Sequence, residues 1–388
     1  MAASTEQFVE AVLPVPIRRS FTYRVPERLM GKIKIGARLR LPFGRRDLVG
    51  YAVNLLRELP AESDIDESKL KDVIEVMDED PLITAEILDL TKWTADYYAS
   101  FWGEMLKASL PAGINSEKVR PRLRKAVRRV KNASTSPDKP LTDQQQRILD
   151  LLDQNNGEML WTDILEQGDV GASPINTLAK RGYVEIYVQD LHRDPLAGAN
   201  LPEIEDLILT PEQQNTFDEI ATAVKSEGEY KAFLLHGVTG SGKTEVYIRA
   251  MRSALERGRS AMMLVPEIAL TPVFSRRLRA VFGTEVAILH SNLSAGERYD
   301  EWRRIRRGEA RVAIGTRSAV FAPLENIGLI VVDEEHDPSY RQHESPFYNA
   351  RDVAVMRAHL AGAVVVLGSA TPAMESFYNA QTGKYSYL

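Results

Sequence analysis

At 388 residues the chain is too long for one ordinary hydrophobic core, so two to four domains are expected. Its 44% apolar and 27% charged residues suit a folded globular protein; no apolar run nears the roughly 18 residues a membrane span needs. Cysteine is absent, the six histidines show no HxxxH or HExxH spacing, and the net charge is −5, which excludes disulfides, thiolate or paired-histidine zinc and a uniformly basic coat, while leaving local basic patches open.

The N-terminus, MAASTEQFVEAVLPVP, lacks the basic start and long apolar core of a signal peptide, so a cytoplasmic protein without membrane contact is expected. From Phe8 to about Val76 short β-branched or aromatic runs alternate with Gly and Pro (FTYRVP, ARLRLPFG, LVGYAVNLL), the pattern of half-buried strands in a small sheet or barrel. Residues 83–110 carry apolar side chains at helical spacing and end at Pro111-Ala112-Gly113, so helices packed on that sheet complete a first domain over 1–113.

Lys118, Arg120, Arg122, Arg124, Lys125, Arg128, Arg129 and Lys131 place eight cations within fourteen residues ahead of ASTSPDKP. A basic linker over 114–140 is expected, able either to contact duplex phosphates or to lie solvated. Three helical segments and the apolar GYVEIYV then resemble a winged helix over 141–195. From 205 to 388 six short, nearly continuous apolar runs recur: KAFLLHG, SAMMLVPE, VAILHS, RVAIGT, LIVVDEE and AVVVLGSAT. Strands covered on both faces read this way, so a doubly wound α/β domain with a parallel sheet is expected.

Chemistry concentrates in Gly237-Val238-Thr239-Gly240-Ser241-Gly242-Lys243-Thr244, a full match to GxxxxGK[ST] between an apolar strand and a helix. Backbone N–H groups of such a loop cradle phosphates, Lys243 neutralises the β- and γ-phosphates of ATP, and the Thr244 hydroxyl ligates Mg²⁺. Another apolar strand ends in Asp333-Glu334-Glu335-His336. In P-loop enzymes the acid at such a strand end holds the metal and its neighbour directs the attacking water, which assigns Asp333 and Glu334 in turn. An acidic strand end alone is more often a solvated turn; the P-loop is what changes its meaning.

The pair GVTGSGKT and DEEH resembles the motifs of superfamily 2 helicases, and further segments follow in that superfamily's order. Pro266 to Pro272 is similar to motif Ia, Gly315 to Ala319 to motif Ib and Gly368 to Pro372 to motif III, while Leu209 to Gln213 resembles the glutamine motif. The resemblance implies that Gln213 reads adenine, that Thr271, Thr316 and Arg317 face the DNA backbone, and that His336, Ser369 and Thr371 couple nucleotide state to DNA grip. Singly, Thr271 or Ser369 is more often a helix cap.

GVTGSGKTEVY, LVPEIALTP, LHSNLSAGER, IGTRSAVFAP, VVDEEHDPSYRQ, YNARDVAVMRA and GSATPAMES are similar to one branch, the bacterial primosomal replication-restart helicases. Its aromatic-rich loop falls on Ser339 to Arg351, which implies DNA sensing by Tyr340 and Arg341; Pro346-Phe347 stand where some members have Trp-Arg. VLPVPIRRSFTYRVP, GARLRLPFG and LKDVIEVMDEDP resemble the family's 3′-DNA-binding domain, with Phe21, Gly44 and Lys71 at its pocket positions and Thr22 where some relatives have Asp. An aromatic to stack a base, a glycine for close approach and a cation for phosphate suit a strand end. A core Phe, a turn Gly and a solvated Lys are the plain readings of the same residues.

The resemblance implies a DNA-stimulated ATPase moving 3′ to 5′, with forked DNA and a nascent 3′ strand end, single-stranded DNA-binding protein, primosomal proteins and the replicative helicase loader as partners, and ATP and Mg²⁺ as cofactors. The chain stops at Leu388, shortly after motif III, so it is expected to be truncated after the first helicase lobe, without the second lobe or the family's cysteine zinc-binding insertion. Such a piece binds ATP and fork DNA with little unwinding. A non-catalytic fork-binding fragment and a different superfamily 2 translocase stay open as alternatives.

Overall fold

The computed structural model describes residues 7–59, 66–78, 80–111, 113–114, 122–130, 140–204, 207–226 and 228–388. The chain forms two compact units, one from Met1–Val119 with Asp194–Leu388 and the other from Arg120–Arg193.

The first unit opens with β1 (Phe8–Val12), β2 (Phe21–Arg24), β3 (Arg38–Phe43), β4 (Arg46–Leu56) and β5 (Glu75–Val76), an antiparallel sheet in the order β2-β1-β4-β3-β5. Val9, Ala11, Leu39 and Leu41 fill its core from one face, the period-two alternation read from the sequence. Phe43 pairs with Arg46, so Gly44 and Arg45 form a two-residue hairpin loop, and Gly44 takes the positive φ (61°) that its first position needs. Thr84 caps α1 (Ala85–Tyr97), which is followed by α2 (Trp102–Ser109).

The second unit corrects the expected linker. The basic run forms β6 (Arg122–Arg129), followed by α3 (Asp143–Gln154), β7 (Glu158–Leu160), α4 (Trp161–Gly168), α5 (Ala172–Lys180) and β8 (Val184–Leu191). β6 is the middle strand of β7-β6-β8 and pairs with β8 from Arg122–Leu191 to Arg129–Val184. Only Ala126 and Val127 are buried in it; its cations lie outside, where Arg128 pairs with Glu158 at 2.5 Å and covers the Tyr187 ring at 4.7 Å. Its backbone pairing therefore makes the strand, and the charge run conceals it. Lys118, Arg120 and Lys131 lie outside the described residues.

The rest of the first unit is α6 (Pro211–Lys225), β9 (Lys231–His236), α7 (Lys243–Glu256), β10 (Ser260–Leu264), α8 (Pro272–Phe282), β11 (Val286–Leu289), α9 (Ala295–Arg306), β12 (Val312–Gly315), β13 (Ile327–Val332), the short pair β14 (Arg341–Gln342) and β15 (Tyr348–Asn349), α10 (Ala350–Leu360), β16 (Val364–Ser369), α11 (Met374–Gln381) and β17 (Ser386–Tyr387). Seven strands form a parallel sheet in the order β11-β12-β10-β13-β16-β9-β17. All six apolar runs expected as strands are in it. Residues alternate between its two cores: Leu234, Met262, Leu264, Ile330, Val332, Val365 and Leu367 face one, while Phe233, Ala261, Met263, Leu329, Val331, Val364 and Val366 face the other. Both faces are dry, which is why the runs read as continuous rather than alternating.

Helices α1 and α2 pack on more than their own sheet. Ile87, Leu90, Met105 and Leu106 share one core with Trp302, Val353 and Ala358. Trp302 Nε1 donates to Leu82 O at 3.1 Å, and fully buried Arg357 donates to Glu86 at 2.8 Å and to the carbonyls of Val320 and Leu324 at 2.7 and 3.3 Å. Among the described residues no helix is long and apolar enough to cross a membrane.

Candidate functional site

β9 is buried along its middle and delivers the chain at His236 to the glycine-rich loop, whose end starts α7. Gly240 and Gly242 hold φ of 80° and 82°, and a Cβ on Gly242 would stand 2.4 Å from Gln213 Nε2. Glycine is required there by conformation and by space. The buried Lys243 turns back into the loop, donating to Gly237 O at 2.7 Å and Val238 O at 3.2 Å. A cation held only by carbonyl oxygens, beside the N-terminal turn of a 14-residue helix, is a place for an anion. Thr244 follows in that turn.

Gln213 has both ends of its amide committed. Oε1 accepts from Thr210 N–H at 2.9 Å in a capping box on α6, and Nε2 donates to Ser241 O at 2.7 Å. The residue expected to read adenine here braces the phosphate loop and caps a helix.

Two strands away in the sheet, β13 ends beside β10, and Asp333 N–H continues the ladder by donating to Leu264 O at 2.9 Å. The Tyr247 hydroxyl donates to Asp333 Oδ1 at 3.3 Å. Burial, then the neighbouring Glu334, hold the Asp333 carboxyl above the usual carboxylate range, and Lys243 opposes them. Glu334 adopts a left-handed backbone (φ 45°), a costly pose for a side chain other than glycine. Nδ1 of His336 lies 3.7 Å from Glu334 Oε2 and 2.7 Å from Ser369 Oγ; its Nε2 lies 3.2 Å from Thr371 Oγ1. Thr371 N–H donates to Ser369 Oγ at 2.9 Å, so the three expected coupling residues form one connected group beside the acidic turn.

These donors fit Mg²⁺ with a nucleotide. Among the described residues no group of three His, Asp or Glu side chains is placed to hold a metal; Mg²⁺ is ordinarily held by one or two carboxylates with phosphate oxygens and water. Asp333 offers a desolvated carboxylate facing the Lys243 cation, and Thr244 a hydroxyl.

On the N-terminal sheet, the Phe21 and Phe43 rings meet edge to face with centroids 5.4 Å apart, and the Arg19 guanidinium lies 5.6 Å from the Phe21 ring. Lys71 Nζ donates to Gly44 O at 3.2 Å. Phe21, Gly44 and Lys71 thus gather around the β3–β4 hairpin tip, although they are far apart in sequence.

Residues 10–111 match the 3'DNA-binding domain (3'BD) family and residues 210–379 the DEAD/DEAH box helicase family. The replication restart protein PriA of Bacillus subtilis (strain 168) is 34% identical, over 98% of this chain and 55% of its own length. That of Chlamydia pneumoniae is 37% identical, over 97% of this chain and 50% of its own length. Along nearly its whole length the chain is similar to replication restart proteins. It spans about half the length of the curated relatives it matches. RecG bound to a three-way DNA junction aligns with a TM-score of 0.36 at 25% identity, over 47% of this chain and 24% of that one.

The residues expected to meet DNA divide in the structure. Thr316, Arg317 and Arg341 line one cleft of about 490 Å³, together with His290 and Arg298. Arg317 Nη1 is steered by the Arg341 carbonyl at 2.9 Å, and the buried Nε of Arg298 has no hydrogen-bond partner there. Thr271 stands apart as the cap of α8, accepting from Phe274 N–H at 3.2 Å. Tyr340 is a correction: it is 1% exposed and its hydroxyl donates to Asp333 O at 2.6 Å. It supports the acidic turn and presents no face to a base.

Sequence reasoning missed Glu335, Tyr247 and Arg351. Glu335 is buried and accepts from Ala373 N–H at 2.6 Å, Ser376 Oγ at 2.8 Å and Arg351 Nη1 at 3.3 Å. All three partners are distant in sequence, so the motif alone carries no sign of them.

Proposed function

We propose that this chain carries the ATP-hydrolysing lobe and the strand-end recognition domain of a replication-restart DNA helicase. The observation that carries the reading is the approach of Lys243, after the end of β9, to Asp333 and Glu334, after the end of β13 two strands away in one parallel sheet, in a chain whose residues 10–111 match a 3′-DNA-binding family. Lys243 and the loop amides hold the phosphates; Thr244 and Asp333 would hold Mg²⁺, which supplies charge neutralisation at the transferring phosphoryl group when bound. Glu334 orients the attacking water and takes up its proton. His336 ties Glu334 to Ser369 and Thr371, so a shift of the β16 end changes the water site.

Phe21 stacks a base of the 3′ end while Lys71 meets phosphate near Gly44, and Thr316, Arg317 and Arg341 hold the backbone of a single strand. With these contacts the lobe serves 3′ to 5′ movement on abandoned forks. Primosomal proteins, single-stranded DNA-binding protein and the loader of the replicative helicase are its partners. We assign the segment expected as a winged helix, 141–195, with strand β6 added to its sheet, as a module that binds duplex DNA.

The test is ATP turnover by the 388-residue chain, alone and with forked DNA, beside Lys243→Ala. Fork-stimulated turnover lost in the variant is the expected result. Nucleotide binding indifferent to Lys243→Ala would reject the reading, whereas retained ATP and fork binding without turnover would favour a recognition fragment.

A further inference from the structure

The N-terminal sheet is wired to the acidic turn by a continuous series of hydrogen bonds. Arg18, in the β1–β2 connection that leads into Phe21, donates to Ala99 O at 3.0 Å. Ala99 follows Tyr98, whose hydroxyl donates to Asp352 Oδ2 at 2.8 Å. The other oxygen of Asp352 accepts from Arg351 Nε at 2.9 Å, and Arg351 Nη1 reaches Glu335 Oε2 at 3.3 Å. Burial first, and Asp352 second, push the Tyr98 hydroxyl up, so it stays a donor throughout the neutral range. Beside this series, Ser100 Oγ donates to Phe347 O at 3.4 Å and Ser345 Oγ to Glu104 at 2.8 Å, tying the loop after the acidic turn to the same N-terminal helices.

The series ends where geometry is most constrained. Glu334 is held left-handed, and its neighbour Glu335 is fixed by its backbone N–H on Gly368 O at 3.0 Å and by three donors on its carboxylate. Two of those donors, Ala373 N–H and Ser376, belong to the segment after β16; the third is Arg351. A strained pose persists only where its surroundings over-determine it. Loosening Arg351 therefore frees the peptide that aims Glu334.

We propose that Tyr98, Asp352 and Arg351 are positioning residues that join the strand-end site to the nucleotide site, so that a 3′-ended strand at Phe21 and Lys71 and a nucleotide at Lys243 alter each other's affinity. This rests on the functional reading above. The linkage is reciprocal by thermodynamic necessity, and couplings of this kind run at about 5–150-fold in affinity. A chain of contacts demonstrates no coupling by itself; the measured linkage does.

The experiment uses the 388-residue chain with a fluorescent non-hydrolysable ATP analogue, Mg²⁺, and a short single strand ending in a 3′-hydroxyl or a 3′-phosphate. In the wild type the hydroxyl-ended strand changes analogue affinity by about 5-fold or more, and saturating analogue changes strand affinity by the same factor. Tyr98→Phe and Asp352→Asn bring that factor close to one and leave each affinity measured alone near its wild-type value. Arg351→Lys keeps more of it than Arg351→Ala. Independent binding in the wild type, or the full factor in Tyr98→Phe, overturns the proposal while leaving both sites standing. Analogue binding unaffected by Lys243→Ala, or strand binding unaffected by Lys71→Ala, overturns the functional reading and this proposal with it.

Discussion

Gly368 and Tyr247 share one space: a Cβ built on Gly368 would stand 1.6 Å from the Tyr247 hydroxyl oxygen and 2.8 Å from its ring. The tyrosine uses that space to reach Asp333 from beneath the phosphate loop. Gly368→Ala should destabilise the chain by about 1–3 kcal/mol, the usual range for overpacking, and push the hydroxyl away from Asp333. Tyr247→Phe in that background removes the nearest clash and recovers part of the loss. Urea unfolding of the single and double variants measures both effects.

Asp333 gives a pH dependence with a definite sign. Its folded pKa lies above the unfolded value, first through burial and then through Glu334, so the native state binds this proton more tightly. That contribution is full below the unfolded pKa and is lost as pH rises through the folded one; at neutral pH the ionised carboxylate is a cost. Asp333→Asn should therefore raise the Tm of the nucleotide-free chain at pH 7 by a few degrees, with the gain shrinking toward pH 4. Equal gains at both values would assign the effect to something other than ionisation.

His336 meets Glu334 and Ser369 through Nδ1 and Thr371 through Nε2. Removing it should leave nucleotide affinity alone and lower DNA-stimulated ATP turnover about 10-fold or more, the scale of a lost contribution to proton transfer. Ser369→Ala should give a comparable loss. Because the two side chains act through one contact, the double variant should lose little more than either single one, as steady-state turnover would show.

Arg357 is fully buried between α10 and the N-terminal helices, and burial holds its pKa below the ordinary arginine value, opposed by Glu86. Glu86→Ala removes the carboxylate that pairs with it and should cost about 1.5–3 kcal/mol, the range for hydrogen bonds to charged groups. Arg357→Ala also empties a packed site and orphans the Val320 and Leu324 carbonyls, so it should cost more. Denaturant midpoints of the two variants rank them.

At the N-terminal patch, Phe21→Ala should weaken binding of a 3′-ended single strand by about 1–3 kcal/mol, the value of one base stacked on an aromatic ring. Lys71→Ala should weaken it too and flatten its salt dependence, because a phosphate contact releases counterions. Fluorescence anisotropy between low and moderate salt distinguishes the two losses. A variant chain with unchanged binding would place Phe21 in the core, beside Phe43, and nowhere else.

Where chemistry sits on contiguous residues, the sequence by itself determined it. Gly237 to Thr244 form a glycine-rich loop between the flanking β9 and α7, and the six apolar runs announce parallel strands because both faces of each are covered. The acidic strand end at Asp333 and Glu334 was legible for the same reason. Partners chosen across the chain were decided only by tertiary structure. Arg122 to Arg129 become a strand because residues 184–191 complete their hydrogen bonds, which no count of charges reveals. Tyr340 turns inward because Asp333 offers a carbonyl to its hydroxyl, and Glu335 acquires its role from Arg351, Ala373 and Ser376. Tyr98 meets Asp352 across 254 positions. A side chain's period and type limit what it can do, but burial and hydrogen-bond partners at long sequence separation select among those possibilities, and they exist only once the chain has folded.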